Sequence, residues 1–221
     1  MRTNYRQTGF TLVEIAIVLV IIGLLLGGIL KGQEMITQAR IKNVINDFNG
    51  VTAAYASYQD RYRAIPGDDV GAATRWTGPP VAVSGDGNGI LAGLYNATVA
   101  FPPPAAAESN LFWWHLRLSG FIPGPTAVAG AANQPTNAFG GKIGAQNANA
   151  ATPALGLNGL IICSAGVPDK VAIAVDTQMD DQAAGTGSIR AMKGDSSSAL
   201  VLATDTYVES GTNTYIVCKG V

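Results

Sequence analysis

Gly9-Phe10-Thr11-Leu12-Val13-Glu14-Ile15-Ala16-Ile17-Val18-Leu19-Val20-Ile21-Ile22-Gly23-Leu24-Leu25-Leu26-Gly27-Gly28-Ile29-Leu30 is the stretch on which the reading of this chain turns. It is an apolar run of about 21 residues, enough to cross roughly 30 Å of hydrocarbon at about 1.5 Å per residue. On an insertion scale each Leu, Ile, Val or Phe contributes about −0.3 to −0.6 kcal/mol, so roughly fifteen of them contribute about −7 kcal/mol. Glu14, near one end, opposes this by at most about 3.5 kcal/mol, so insertion wins. A soluble core helix is the competing reading, but such helices are seldom apolar on every face. A secretory signal peptide is another. Its apolar region is only about 7–15 residues long and ends in a small-x-small site, whereas Lys31-Gly32-Gln33-Glu34 follows here. No Cys follows the run, which argues against a lipoprotein anchor. Arg2 and Arg6 favour a cytoplasmic amino terminus and an exported body; Lys31 blurs that asymmetry slightly.

A carboxylate in such a run needs a use or a partner. For Glu14 the natural partner is a cation at similar depth, and the ammonium of Phe10 supplies one if the chain is cut after Gly9. Here the residues carry a resemblance. A short basic leader, then Gly9-Phe10-Thr11-Leu12-Val13-Glu14 and the apolar run, resembles the prepilin cleavage and methylation motif of type IV pilins and type II secretion pseudopilins. The resemblance is close over about residues 4–62 and looser beyond. It implies cleavage after Gly9 by a prepilin peptidase, N-methylation of Phe10, and pairing of Glu14 with the Phe10 amine of a neighbouring subunit during filament assembly. Members of the family often carry a Pro within this helix. This chain has none between Gly9 and Ile65, which leaves Gly23, Gly27, Gly28 and Gly32 either as close-packing positions or as weak points of the helix.

The chain has 221 residues with 14 Lys+Arg, 15 Asp+Glu and a formal net charge of −1. Loss of residues 1–9 removes Arg2 and Arg6 and leaves about −3. No basic patch stands out, which argues against a dedicated nucleic-acid binder. About 150 residues remain after the long helix, sufficient for one modest domain. Cys163 and Cys218 are the only cysteines. In an oxidising compartment they are expected to pair, closing a loop of about 55 residues for roughly 4 kcal/mol in the chain-entropy model. Two free thiols are the alternative, and the resemblance favours the bridge, since pilins often have a carboxy-terminal disulfide.

From Ile41 the apolar positions Ile41, Val44, Phe48, Val51, Tyr55, Tyr58 and Tyr62 are spaced alternately by three and four, the stripe of an amphipathic helix. A helix of about 50 residues, near 80 Å, is therefore expected. Its second half would pack on the chain's own carboxy-terminal domain, with a coiled-coil dimer as the alternative. Ile65-Pro66-Gly67 ends it. Residues 77–109 read as loop around Ser84-Gly85-Asp86-Gly87-Asn88-Gly89. Asp86 and Asn88 are calcium candidates, against a plain Asp-Gly/Asn-Gly turn. Glu108 to Gly120 reads as a short helix with Leu111, Trp114, His115 and Leu118 on one face and Gly120 as its stop. Residues 126–154, rich in Ala, Asn and Gly, read as a long surface loop. Gly159–Cys163, Val171–Ala174, Ala199–Ala203 and Thr214–Cys218 are candidate strands, with a helix from Pro168 as the alternative for the second. Asp176, Asp180 and Asp181 are a further calcium candidate, against a solvated helix end. The clustered acids and Gly turn here, like residues 63–70, resemble segments of one subgroup of prepilin-type proteins.

The expected fold class is α+β: a long amino-terminal helix, membrane-spanning in its first half, packed on a small antiparallel sheet. The expected divisions are a leader (1–9), a membrane or filament-core helix (10–31), an amphipathic continuation (32–64) and a pilin-like globular domain (65–221). The resemblance implies a structural subunit of a type IV pilus-like or type II secretion filament, anchored in the inner membrane before assembly. Its partners would be copies of itself, other pilin-like subunits, the peptidase-methyltransferase and an inner-membrane assembly platform. A minor tip or priming subunit that binds through its loops is the runner-up. A membrane-anchored enzyme is weaker still, with one histidine and no nucleophile or metal motif. No cofactor is expected beyond the calcium candidates, and no nucleic acid.

Overall fold

A computed structural model describes residues 9, 11–98, 101–127, 130–148, 154–202 and 206–221. The chain divides into two compact units, Met1–Ala39 and Arg40–Val221. Helix α1, Leu12–Tyr62, begins in the first and ends in the second.

In the first unit the described residues are essentially the start of α1. Its large apolar side chains from Leu12 to Ile36 are all between 47% and 85% exposed. The helix continues through Gly23, Gly27, Gly28 and Gly32, where an added Cβ would meet nothing within 4 Å. Among the described residues α1 is the one helix long and apolar enough to cross a membrane, and its apolar window is entirely unburied.

In the second unit the expected stripe is a core face. Ile41, Val44, Phe48, Val51 and Tyr58 are buried, joined by Ala54, while Tyr55 and Tyr62 are half-buried. They pack with Ile162, Val167, Tyr215 and Val217 of the sheet, so the stripe is used within the chain. The helix ends as Arg63 takes φ +54°, the left-handed conformation common at helix ends, just ahead of Ile65-Pro66. A single turn, α2 (Ala72–Arg75), follows.

Helix α3, Glu108–Leu118, matches the expected span, but not the expected one-sided burial: every residue from Glu108 to Arg117 is buried. Phe112, Trp113 and Leu116 join the main core, and Leu111 and Trp114 pack with Ala131 and Ala132 in a separate cluster. Gly120, at φ +77°, donates to the Arg117 carbonyl while Phe121 donates to Leu116, the paired closure that a left-handed residue permits after a helix.

The sheet has four antiparallel strands: β1 (Ile143–Ala148), β2 (Gly159–Pro168), β3 (Ile189–Lys193) and β4 (Thr214–Gly220), in the order β1-β2-β4-β3. Alternate residues face opposite sides. Leu160 and Ile162 face the α1 core, while Ile161, Cys163 and Ala165 face a second core with Tyr95 and Leu155. Between Ser164 and Val167 the register slips, Ala165 and Gly166 together opposing Ile216. That bulge reverses the parity and turns Val167 back to the α1 side.

Several expectations change. Val171–Ala174 is not a strand: α4, Asp169–Met179, takes that segment, burying Val171, Ala172 and Val175. The described part of Ala199–Ala203, residues 199–202, is not a strand either, and Ala203 lies outside the described residues. The loop expected over 126–154 contains β1, whose residues are nearly all buried. Its small side chains make this feasible, since a Cβ at Gly144 would collide with the Tyr95 backbone.

Candidate functional site

The site with a chemical role at sequence level is the start of α1. Phe10 lies outside the described residues, and Gly9 is exposed. Thr11 is the residue before the helix and Glu14 its third helical position. The Thr11 N–H and hydroxyl both donate to Glu14 Oε2, at 2.8 and 2.7 Å, and the Glu14 N–H donates back to Thr11 Oγ1 at 3.3 Å. This is a capping box, satisfying two otherwise free amides of the first turn. Thr11-Leu12-Val13-Glu14 carries the T-x-x-E signal for it in the sequence. Both bonds that Glu14 accepts from Thr11 fall on Oε2. The carboxylate is thus held in a fixed direction by its own helix.

The calcium candidates resolve into two groups of carboxylates. Asp86 is brought near Asp68 and Glu108, with one oxygen of each within 4.8 Å of the others; Asp176, Asp180 and Asp181 form the second group. Asp68 and Glu108, buried and far apart in sequence, were invisible to a local motif search. Both groups are engaged with the chain. Asp68 accepts the N–H groups of Gly87, Asn88 and Gly89 at 2.5–3.1 Å, and Glu108 those of Asp86 and Ala92 at 3.1 and 2.8 Å. Asn88, placed beside Asp86 in sequence, is used inside the turn: its side chain donates to Asp86 and accepts from Ile90. Burial pushes the Glu108 carboxyl up, its two amide bonds pull it down, and the nearby Asp68 and Asp86 raise it again, leaving it above its ordinary value. In the second group Asp176 accepts from Tyr207 and Gln182, Asp180 from Ile189, and Asp181 from Ala183 and Thr186. Burial raises Asp176, and Asp180 and Asp181 add to it against the Tyr207 and Gln182 bonds. The bonds these carboxylates accept from protein donors close turns.

His115 sits in an aromatic node with Tyr58 and Trp76, stacked on Tyr58. Its Nδ1 accepts the Gly67 N–H at 2.9 Å, so Nε2, 2.8 Å from the Val83 carbonyl, carries the proton. The ring is neutral, and burial lowers its pKa to about 4. Beside it Tyr58 and Arg75 both donate to Asp69 at 2.6 Å. Burial would raise the Asp69 carboxyl, but the bonds from Arg75, Tyr58 and Gly71 outweigh it and hold it below its usual range. The node pins the segment after α1 to α3. With both ring nitrogens committed to backbone, His115 is a packing residue, as a lone histidine usually is.

Cys163 and Cys218 are disulfide-bonded and stand directly opposite each other on β2 and β4. The pairing expected from the sequence is the one observed.

Compared with known proteins, the chain matches the prokaryotic N-terminal methylation motif over residues 4–30. No curated protein and no solved structure matches it. The matched residues are the end of the leader with Arg6, the Gly9-Phe10 junction, the capped start of α1 and its unburied apolar run. With this motif, a long amino-terminal helix and a small antiparallel sheet, the chain is a pilin-like α+β protein that carries the type IV pilin and pseudopilin signature.

Proposed function

We propose that this protein is a structural subunit of a helical filament, of the type IV pilus or type II secretion kind. It is held in the inner membrane by α1, amino terminus inward, until a prepilin peptidase cuts after Gly9 and Phe10 is methylated. One observation carries the reading: a cleavage-and-methylation motif sits directly on a helix whose apolar side chains have no cover of their own from Leu12 to Ile36. Such a helix is stable in lipid, or against copies of itself, and nowhere else in water. Extraction exchanges lipid contacts for helix contacts. The ammonium of Phe10 then meets Glu14 of a neighbour, and an unpaired charge in that apolar core costs several kcal/mol. Misregistered addition is penalised accordingly. The capping box supports this, because it fixes one carboxylate oxygen before the neighbour arrives. The engaged state of the only histidine supports a structural rather than an enzymatic role.

The test is mass spectrometry of the mature amino terminus in a fractionated filament preparation. A methylated Phe10 start is expected; intact Met1, or a cut after Leu30, would overturn the reading. Glu14→Ala is expected to leave cleavage intact and reduce filament yield at least tenfold. Normal fibres from that variant would defeat the pairing.

A further inference from the structure

Four steps in this chain place a glycine directly after an Asn or Asp: Asn49-Gly50, Asp86-Gly87, Asn88-Gly89 and Asn158-Gly159. At such a step the side chain can close a ring onto the backbone, because a following residue without a Cβ leaves its amide nitrogen open to the side-chain carbonyl carbon. The reaction needs a mobile side chain and an amide that is free to lose its proton. The fold treats the four steps differently.

Asn49-Gly50 lies inside α1, where both residues are fixed in the hydrogen-bonded run of the helix. In Asp86-Gly87 the attacking amide is held, since the Gly87 N–H donates to Asp68 Oδ1 at 2.5 Å. The Asp86 carboxylate is held as well, by the Asn88 N–H and side chain at 3.0 and 2.9 Å. In Asn88-Gly89 the Gly89 N–H donates to Asp68 Oδ2 at 2.7 Å, while the Asn88 side chain donates to Asp86 and accepts from Ile90. Asn158-Gly159 has none of these restraints. Both residues are exposed, and the Asn158 side chain has no hydrogen-bond partner among the described residues. Gly159 stands at φ +78°, with nothing within 4 Å of where a Cβ would be. It opposes Ala148, the last residue of β1, so its amide belongs to the outermost rung of that pair, where a sheet frays first.

We propose that Asn158 is a site of spontaneous covalent modification, converting to aspartate and isoaspartate through a succinimide with Gly159. The Gly159 nitrogen gives its proton to solvent and attacks Asn158 Cγ. A C–N bond forms, the Cγ–Nδ2 bond breaks, and the side-chain amide leaves as ammonia with a proton returned from solvent. Water then opens the imide. Opening at Cγ restores the ordinary backbone with a carboxylate side chain. Opening at the main-chain carbonyl of residue 158 routes the backbone through Cγ and lengthens it by one methylene. No co-reactant other than water is required. Either product puts a negative charge at the mouth of the β1–β2 pair, on a chain whose formal net charge is −1, so an aged subunit differs in charge from a newly made one. The chemistry depends only on the fold of the second unit, not on what the chain assembles into.

The test is peptide mapping by mass spectrometry of the purified full-length chain in detergent, incubated at mildly alkaline pH either folded or in urea. In urea the three Asn-Gly steps are expected to convert at similar rates. In the folded chain Asn158 should convert within a few-fold of that rate, whereas Asn49 and Asn88 should be slowed by about tenfold or more, since their conversion waits on opening of the fold. Asn158→Gln, whose ring would be six-membered and slow to close, should abolish isoaspartate at this position and leave the urea midpoint unchanged. Protection of Asn158 equal to that of Asn88 overturns the proposal. So does aspartate formed there without isoaspartate, which would mean direct hydrolysis rather than ring closure.

Discussion

Helix α1 keeps one hydrogen-bonding pattern from Leu12 to Tyr62, yet its side chains before and after Arg40 meet different surroundings. From Leu12 to Leu30 apolar residues occupy nearly every position, and none before Arg40 is buried. After it, apolar residues return every third or fourth position and the stripe is buried against a sheet. The difference teaches that helix formation and burial are separately encoded. Backbone bonding needs only the absence of breakers, whereas the periodicity of side chains decides which solvent each stretch requires.

The sharpest way to break this comparison is to truncate one large side chain in each stretch. Phe48→Ala is expected to destabilise the second unit by about 3–5 kcal/mol, the usual range for a buried aromatic. Leu24→Ala, 74% exposed before substitution, should leave the urea midpoint of the detergent-solubilised chain where it was and lower only membrane retention. Equal shifts in the two midpoints would show that the stretches are not independent.

A smaller effect follows from His115, which belongs to the buried stretch's surroundings. Its folded pKa is about 4, below an unfolded value near 6.5. A depressed folded pKa means that the neutral ring's contribution is complete above pH 6.5 and is lost as pH falls towards 4, below which it no longer changes. The expected loss is about 3 kcal/mol across that window. Urea midpoints measured from pH 7 to 4 should show the slope, and His115→Gln, less stable at pH 7, should lose it. A slope unchanged in that variant would assign the acid sensitivity elsewhere.

The smallest effect belongs to the exposed end. Thr11→Ala removes one side of the capping box and should cost the start of α1 about 1 kcal/mol. Hydrogen exchange of the first-turn amides should quicken roughly fivefold, with exchange from Arg40 onward unchanged. Unchanged exchange in the first turn would mean that the box does not hold it.

What the sequence made legible had short-range or forced causes. The span of α1 followed from its apolar run, its stripe and Ile65-Pro66; α3 from the spacing of Leu111, Trp114, His115 and Leu118 and its terminal Gly120; the disulfide from there being two cysteines. What it concealed had long-range causes. Ile143-Gly144-Ala145-Gln146-Asn147-Ala148 has Ile143 as its one β-branched residue and no aromatic, and it becomes a strand because β2 accepts it in register and Gly144 leaves room for the Tyr95 backbone. Strand β3 hides in a basic pentapeptide, Ile189-Arg190-Ala191-Met192-Lys193, until β4 pairs with it. At the amino terminus the motif is fully readable, and the bond between Thr11 and Glu14 has its own local signal in T-x-x-E, independent of any partner outside the chain.

The place of the disulfide in the strand order has a mechanical consequence. Cys163 and Cys218 join β2 and β4, the two inner strands, while β1 and β3 lie at the edges. A sheet under tension can part along any line of hydrogen bonds that is not otherwise fastened. Here the central line is riveted covalently, so a load applied to the chain can strip β1 or β3 from the outside but cannot split the sheet into halves. The middle of the domain is its tear-stop, and an overstretched subunit would be expected to fail at its margins and to recover by re-pairing them against an intact centre.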